Sequence, residues 1–167
     1  NVPQMRNSSI YEEAVTQLKK NGYFIQHRVL QSSNYGVPQR RKRLFVVGVR
    51  KDIAKERGIK CDEDILNFFP RPSSYEPTVH DAIRDLEVDE VERNMILDHV
   101  RKSRHYEILK AIPKDPERVD RLCYHNEKFK NYLFNVNRCA WYQPAPTITQ
   151  LGNQLGGLGG IYHPEEH

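Results

Sequence analysis

Asn34-Tyr35-Gly36-Val37-Pro38-Gln39-Arg40-Arg41-Lys42-Arg43 runs directly into Leu44-Phe45-Val46-Val47-Gly48-Val49-Arg50, and the reading of the chain turns on this stretch. Asn34, Gly36 and Pro38 each favour a turn for a separate backbone reason. Four consecutive cations follow, Arg40 to Arg43. The apolar, β-branched run Leu44–Val49 then predicts a buried strand. Cations at the mouth of a buried strand call for anionic partners, and a strand is a rigid base from which to aim a guanidinium. The same residues also fit a solvated turn whose basic run is a surface cluster or a nuclear-import-like signal, because short Lys/Arg runs are common.

On the N-terminal side, Ser9-x-x-Glu12 has the form of a capping box. Ile10, Ala14 and Leu18 recur at i, i+4 and i+8, which predicts an amphipathic helix to about Lys20, ended by Asn21-Gly22. Tyr23 to Leu30 predicts a strand with Tyr23, Ile25, His27 and Val29 on one face. His27 reads as a half-buried strand histidine, since no partner at metal-ligand spacing lies near it. The two strands and the turn between them predict an antiparallel pair.

On the C-terminal side the composition changes. Lys51 to Lys60 is charged, and Pro70, Pro72, Ser73, Ser74 and Pro77 form a breaker-rich connector, which sets a domain boundary between Lys51 and Pro77. Thr78 can cap a short helix carrying Val79, Ile83 and Leu86. Glu87 to Asn135 is highly charged and weakly periodic. There Arg101, Lys102, Arg104, His105, Lys110, Lys114, Arg118, Arg121, Lys128 and Lys130 alternate with Tyr106, Tyr124, Phe129, Tyr132 and Phe134. Cations mixed with aromatics suit phosphate contacts and groove insertion. They equally suit a solvated helix face around Ile108, Leu109 and Ile112. Gly152 to Gly160 does not open a helix after a strand, so it reads as a flexible hinge and not as a phosphate cradle.

The 167 residues are enough for one ordinary domain with a modest core. Apolar residues make up 38%, against roughly 45–50% in a typical domain, so much of the chain is surface. A net charge of +4 and a pI of 8.9 suit a polyanionic partner without demanding one. Cys61, Cys123 and Cys139 form no CxxC pair, which argues against a disulfide framework and for a reducing compartment. Cys123, His125 and Cys139 lack the usual zinc spacings, so no metal is expected. No apolar run approaches the roughly 20 residues of a bilayer span, and no signal peptide is visible.

Three segments together resemble one family. Asn34–Phe45 resembles the Gln-Arg-x-x-Arg motif of DNA cytosine-5 methyltransferases, with that family's turn before it and strand after it. Pro77-Thr78-Val79-His80-Asp81-Ala82-Ile83-Arg84-Asp85-Leu86 resembles the segment that follows the strand. Asn137-Arg138-Cys139-Ala140-Trp141-Tyr142-Gln143-Pro144-Ala145-Pro146-Thr147-Ile148-Thr149 resembles the family's Arg…Trp-x-x-Pro-Ala-Pro-Thr-Ile-Thr motif, and Ile161-Tyr162-His163-Pro164 its following Ile-His-Pro.

The resemblance implies an α+β fragment. It would hold terminal antiparallel strands of a doubly wound α/β methyltransferase sheet and a small, mixed, loop-rich target-recognition domain. Residues 1–50 would be the C-terminal part of the catalytic domain, 51–136 the target-recognition region, and 137–167 a segment returning to the catalytic domain. Asn1-Val2 matches the family's Glu-Asn-Val, whose catalytic Glu would lie just before residue 1, so a fragment is expected. Arg43 is implied at O2 of an extruded cytosine, with Arg41, Gln39 and Asn1 around the pocket. Arg138 would brace the recognition domain and Thr149 would meet a phosphate. Arg101, Lys102, Arg104, Lys128 and Lys130 would contact DNA.

The departures from the family pattern are omissions. The sequence has no Pro-Cys dipeptide for the family's nucleophile and no Gly-rich turn for S-adenosylmethionine. The implied whole is an S-adenosylmethionine-dependent enzyme acting on double-stranded DNA, in the style of a restriction-modification methyltransferase inside a prokaryotic cell. The chain alone is expected to be inactive and to bind no cofactor. Its expected partners are duplex DNA, the missing catalytic half and, through exposed apolar strand surface, a second copy of itself. Two alternatives remain: a non-enzymatic nucleic-acid-binding module, and an RNA-directed relative. The tRNA-methylating branch usually carries Cys-Phe-Thr, whereas here Tyr124 follows Cys123.

Overall fold

A computed structural model of the chain describes residues 7–102, 106, 110–125, 127, 137–148 and 161–165. The chain divides into two units, Asn1–Tyr35 with Lys42–Ser74, and Gly36–Arg41 with Tyr75–His167. Its helices and small sheets make it an α+β chain.

The first unit is a hairpin covered on both faces. Helix α1, Ser9–Lys20, begins one residue earlier than a Ser9 cap would allow. Ser8 is the N-cap, and its hydroxyl accepts the Tyr11 N–H at 3.3 Å. The helix ends at Asn21, and Gly22 follows at φ +83°, a conformation that favours glycine. Strand β1, Tyr23–Gln31, pairs antiparallel with β2, Lys42–Arg50, in a register running from Tyr23 opposite Arg50 to Gln31 opposite Lys42. A 3₁₀ turn, Ser32–Tyr35, follows β1.

Period-two alternation assigns the two faces of the pair. On one, Tyr11 of α1 meets His27 edge-on with ring centroids 5.6 Å apart, and Ile25 is buried. On the other, Phe24, Val47 and Val49 pack against Ala54, Ile59 and Ile65. Ala54 comes from helix α2, Lys51–Glu56, and Ile65 from a second 3₁₀ turn, Asp62–Phe68. Burying a side chain such as Ile65 contributes about 1.5–3 kcal/mol. Asp62 fastens that turn to the hairpin by accepting the Ile25 N–H at 2.8 Å and pairing with Lys19. Partial burial pushes the Asp62 carboxyl upward, but the Lys19 and Ile25 donors outweigh it and the net shift is downward.

One sequence expectation changes here. Leu44–Val49 is not a buried strand, because Phe45 is 50% and Val46 42% exposed in this two-stranded sheet. The stretch after Arg50 supplies the second cover of the hairpin, and Lys51–Ser74 falls in the same unit as the strands.

The second unit is assembled from distant pieces. Helix α3, Val79–Ile83, starts in a full capping box: Thr78 accepts from the Asp81 N–H, and Asp81 accepts from the Thr78 N–H. Helix α4, Glu90–Arg101, is capped by Asp89, which takes the N–H groups of Val91 and Glu92. The sequence reading missed α4. Its Val91 and Met95 are each 69% exposed, so the helix lacks the buried apolar stripe that periodicity would detect. A three-stranded sheet joins β3, Asp120–Arg121, antiparallel to β4, Asn137–Arg138, and β4 parallel to β5, Ile161–Tyr162. Helix α5, Leu122–His125, follows β3. Val79, Val100, Ile112, Cys139 and Ala140 are buried in this unit. No helix among the described residues is long and apolar enough to cross a membrane.

Candidate functional site

Gln39, Arg40 and Arg41 are held by a segment more than a hundred residues away. Gln39 forms a parallel bridge with Ala145. The Ala145 N–H donates to the Pro38 carbonyl at 2.9 Å, and the Arg40 N–H donates to the Ala145 carbonyl at 2.7 Å. The Thr147 hydroxyl donates to the Arg40 carbonyl at 2.8 Å. Arg41 Nη1 donates to the Ile148 carbonyl at 3.3 Å. Arg40 extends to Glu76, 3.3 Å away. Gly36, at φ +84°, turns the chain into this segment.

The Pro-Ala-Pro segment is itself anchored. The first-turn N–H groups of α3 donate into it, Val79 to the Gln143 carbonyl at 3.0 Å and His80 to the Trp141 carbonyl at 2.8 Å. These are orphan donors that a helix must satisfy outside itself. The His80 ring stacks on Tyr142 with centroids 5.1 Å apart. Asp81, which closes the capping box, also accepts from the Tyr75 hydroxyl. Tyr75 first, then Thr78, hold the Asp81 carboxyl down to about 2.

Arg138, which the resemblance implies as a brace of the recognition domain, sits inside the second unit. Arg138 is 1% exposed, and its Nη1 donates to the His163 carbonyl at 3.0 Å. A side chain so enclosed braces the unit and cannot reach a phosphate at the surface. Desolvation pulls its pKa below the ordinary arginine value, while neighbouring Asp120 opposes the shift. The Cys139 N–H donates to Tyr162 at 2.9 Å, and Trp141 Nε1 donates to Glu165 at 2.7 Å. Ile161–Glu165 is thereby fastened to the residues around Arg138.

Arg43 lies in the first unit, second in β2, opposite Leu30. It is exposed, and its Nη1 donates to the neighbouring Lys42 carbonyl at 2.7 Å. Arg101 is exposed at the end of α4, and Lys102 pairs with Asp98 at 2.8 Å. Lys110 sits 4.6 Å from the Tyr106 ring centroid. Asn1, Arg104, Lys128, Lys130, Thr149 and the Gly152–Gly160 stretch lie outside the described residues.

Among the described residues the arrangement offers guanidinium donors and a braced backbone. Burial pushes the Cys139 thiol up to about 11, so it stays protonated and inert. Among the described residues no cluster of three or more His, Cys, Asp or Glu could hold a metal. His125 pairs with Asp120 at 2.7 Å. S-adenosylmethionine, which the sequence resemblance implies, finds no fit among the described residues. Their three positive-φ glycines are Gly22, Gly36 and Gly58, none of which opens a helix directly after a strand.

The model of the C-5 cytosine-specific DNA methylase family matches residues 1–161. The chain belongs to that family. The Type II methylase M.HgiDII of Herpetosiphon aurantiacus is 27% identical over 183 residues, covering 99% of this chain and 48% of that protein. The Type II methyltransferase M.MthTI of Methanothermobacter thermautotrophicus is 42% identical over 65 residues, 39% of this chain and 17% of that protein. The Type II methyltransferase M.HgiDI, also of Herpetosiphon aurantiacus, is 46% identical over 50 residues, 30% of this chain and 16% of that protein. This methylase-family chain thus spans about half the length of M.HgiDII and a smaller share of the other two.

Proposed function

We propose that this chain supplies the base pocket and the DNA-recognition part of a DNA cytosine-5 methyltransferase. The whole protein methylates C5 of a cytosine in duplex DNA, inside a prokaryotic cell and in the manner of a type II modification enzyme. One observation carries this reading: the segments bearing the family's basic motif and its Pro-Ala-Pro-Thr motif are joined backbone to backbone at Gln39 and Ala145.

C5 of a stacked cytosine is inaccessible, so the base must leave the helix. Arg43 would then donate toward O2, where charge develops as the ring is attacked, a role preorganised donors fill well. By the family resemblance Gln39 and Arg41 would support the pocket. Exposed cations, Arg101 among them, contact phosphates, as do Arg104, Lys128, Lys130 and Thr149. Arg138 keeps their scaffold in shape. The nucleophile, the methyl donor's cradle and the rest of a doubly wound sheet belong to further parts of the protein. Phe45 and Val46 of β2, exposed on opposite faces of the pair, support additional packing there, open to a second copy when those parts are absent. By this reading the isolated chain is inactive, and calorimetric titration with S-adenosylmethionine shows no heat of binding; micromolar affinity would contradict it.

The function is tested in the full-length protein by single-turnover methylation alongside equilibrium DNA binding. Arg43→Ala lowers the rate about 10²–10³-fold, while DNA affinity changes modestly. Lys42→Ala, on the opposite face of the strand, leaves the rate within a few-fold. With roughly four phosphates neutralised, log K falls against log salt with a slope near −4. A tenfold loss of affinity in Arg43→Ala with an unchanged rate would make Arg43 a backbone clamp and overturn its assignment.

A further inference from the structure

Consecutive residues of the basic motif are gripped by a short stretch of the Pro-Ala-Pro-Thr segment, and each grip differs in kind. Ala145 holds Pro38 and Arg40 through main-chain groups alone. Ile148 receives the Arg41 guanidinium through its carbonyl. Thr147 acts through a side chain, its hydroxyl donating to the Arg40 carbonyl at 2.8 Å. That carbonyl belongs to the planar peptide unit leading to Arg41, so fixing its oxygen fixes the plane from which the Arg41 Cα emerges.

We propose that Thr147 is a positioning residue that aims Arg41 through the Arg40–Arg41 peptide. The inference deepens the reading of this segment as part of a DNA base pocket and rests on it. The residue type suits the task. A β-branched side chain is restricted at χ1, so a threonine hydroxyl is pre-directed in a way that a serine hydroxyl is not. The N–H of the same peptide, that of Arg41, donates to the Gln39 carbonyl at 3.1 Å, so the Thr147 hydroxyl is the tie at the plane's other end, and the two together hold it against rotation. With that peptide turned, Arg41 could meet the Ile148 carbonyl only from a shifted Cα. A displacement of about 1 Å in a positioning group can lower a rate 10²-fold.

The sequence pattern gives the prominent polar role to Thr149, two residues further on. Thr147 is distinguished by geometry, since it is half-buried and its hydroxyl reaches across to a motif 107 residues away.

The test uses the full-length protein in three forms: wild type, Thr147→Val and Thr147→Ser. Valine keeps the shape and removes the donor, while serine keeps the donor. Three quantities are read: the single-turnover methylation rate, the equilibrium Kd for duplex DNA, and hydrogen exchange at the Arg40 and Ala145 amides. Thr147→Val is expected to slow the rate roughly 10- to 100-fold, leave Kd within about twofold, and speed exchange at both amides. Thr147→Ser is expected to restore most of the rate and of the protection. A Thr147→Val rate within twofold of wild type overturns the proposal. So does a Thr147→Ser variant as slow as Thr147→Val, which would place the effect in the methyl group. A wild-type protein that transfers no methyl group at all refutes the base-pocket reading. Unchanged amide exchange in Thr147→Val then refutes the positioning role independently.

Discussion

The two units are held together by different means. In the first, side chains do the joining: Phe24, Val47 and Val49 close on Ala54, Ile59 and Ile65, and the hydrogen bonds form a regular ladder between neighbouring strands. In the second, main-chain groups do it. Arg40 and Ala145, Val79 and Gln143, His80 and Trp141, and Cys139 and Tyr162 are all tied N–H to carbonyl across long stretches of chain. Apolar packing is non-directional and tolerates small shifts. Hydrogen bonds between fixed backbones do not, because they weaken steeply with angle. The segment carrying Gln39 and Arg41 belongs to the second kind, where residue placement is stiffest.

The contrast breaks hardest at the core of the first unit. Ile65→Ala removes a fully buried side chain and is expected to cost about 2–5 kcal/mol. Hydrogen exchange should then speed at the β1 and β2 amides. A loss below about 1 kcal/mol would mean that the hairpin does not depend on its 3₁₀ cover.

Arg138→Met probes the second unit by keeping the stem and removing the donors. The His163 carbonyl loses a charged partner, which corresponds to about 1.5–3 kcal/mol. The expected mark is faster exchange at the Cys139 amide, which bonds Tyr162, with the β1–β2 ladder unaffected. A variant as stable as wild type would show that packing, and not these bonds, holds Ile161–Glu165 in place.

The smallest effect is a pH dependence confined to the second unit. The Asp81 carboxyl is held down to about 2 from an ordinary value of 3.8, so the folded state favours its charged form. That contribution is present in full above about pH 4 and is lost as pH falls through about 2. Wild type should therefore lose protection at the Val79 and His80 amides across that window. Asp81→Asn should start less protected at neutral pH and show a flatter acid limb. An identical acid limb in both proteins would remove Asp81 from the account.

The same contrast explains what the sequence made legible. The helix near Ser9, both strands and their antiparallel pairing follow from periodicity, because side-chain packing leaves its period in the residue types. The family resemblance likewise rests on side-chain identities: Gln39, the arginines, Trp141 and the Pro-Ala-Pro run. Backbone bonds leave no such trace. Nothing in the residue type of Ala145 announces a bridge to Gln39, and Thr147 looks like any strand threonine. The resemblance implies a bracing Arg138, but which carbonyls it braces shows only in the three-stranded sheet around it. Helix α4 escaped because a capping Asp89 defines it more than an apolar stripe does.

The bond from Thr147 to Arg40 has a consequence for the newborn protein. The β1–β2 hairpin can close as soon as Arg50 is clear of the ribosome, within microseconds. The grip on Arg40 and Arg41 comes from residues 107 positions further along. At a synthesis rate of about 5–20 residues per second, those residues arrive roughly 5–20 s later. Through that interval four adjacent cations ride on the hairpin with their scaffold unmade. The order of synthesis thus exposes the charge first and disciplines it last, and a chaperone or a polyanion that meets the nascent chain would find it there.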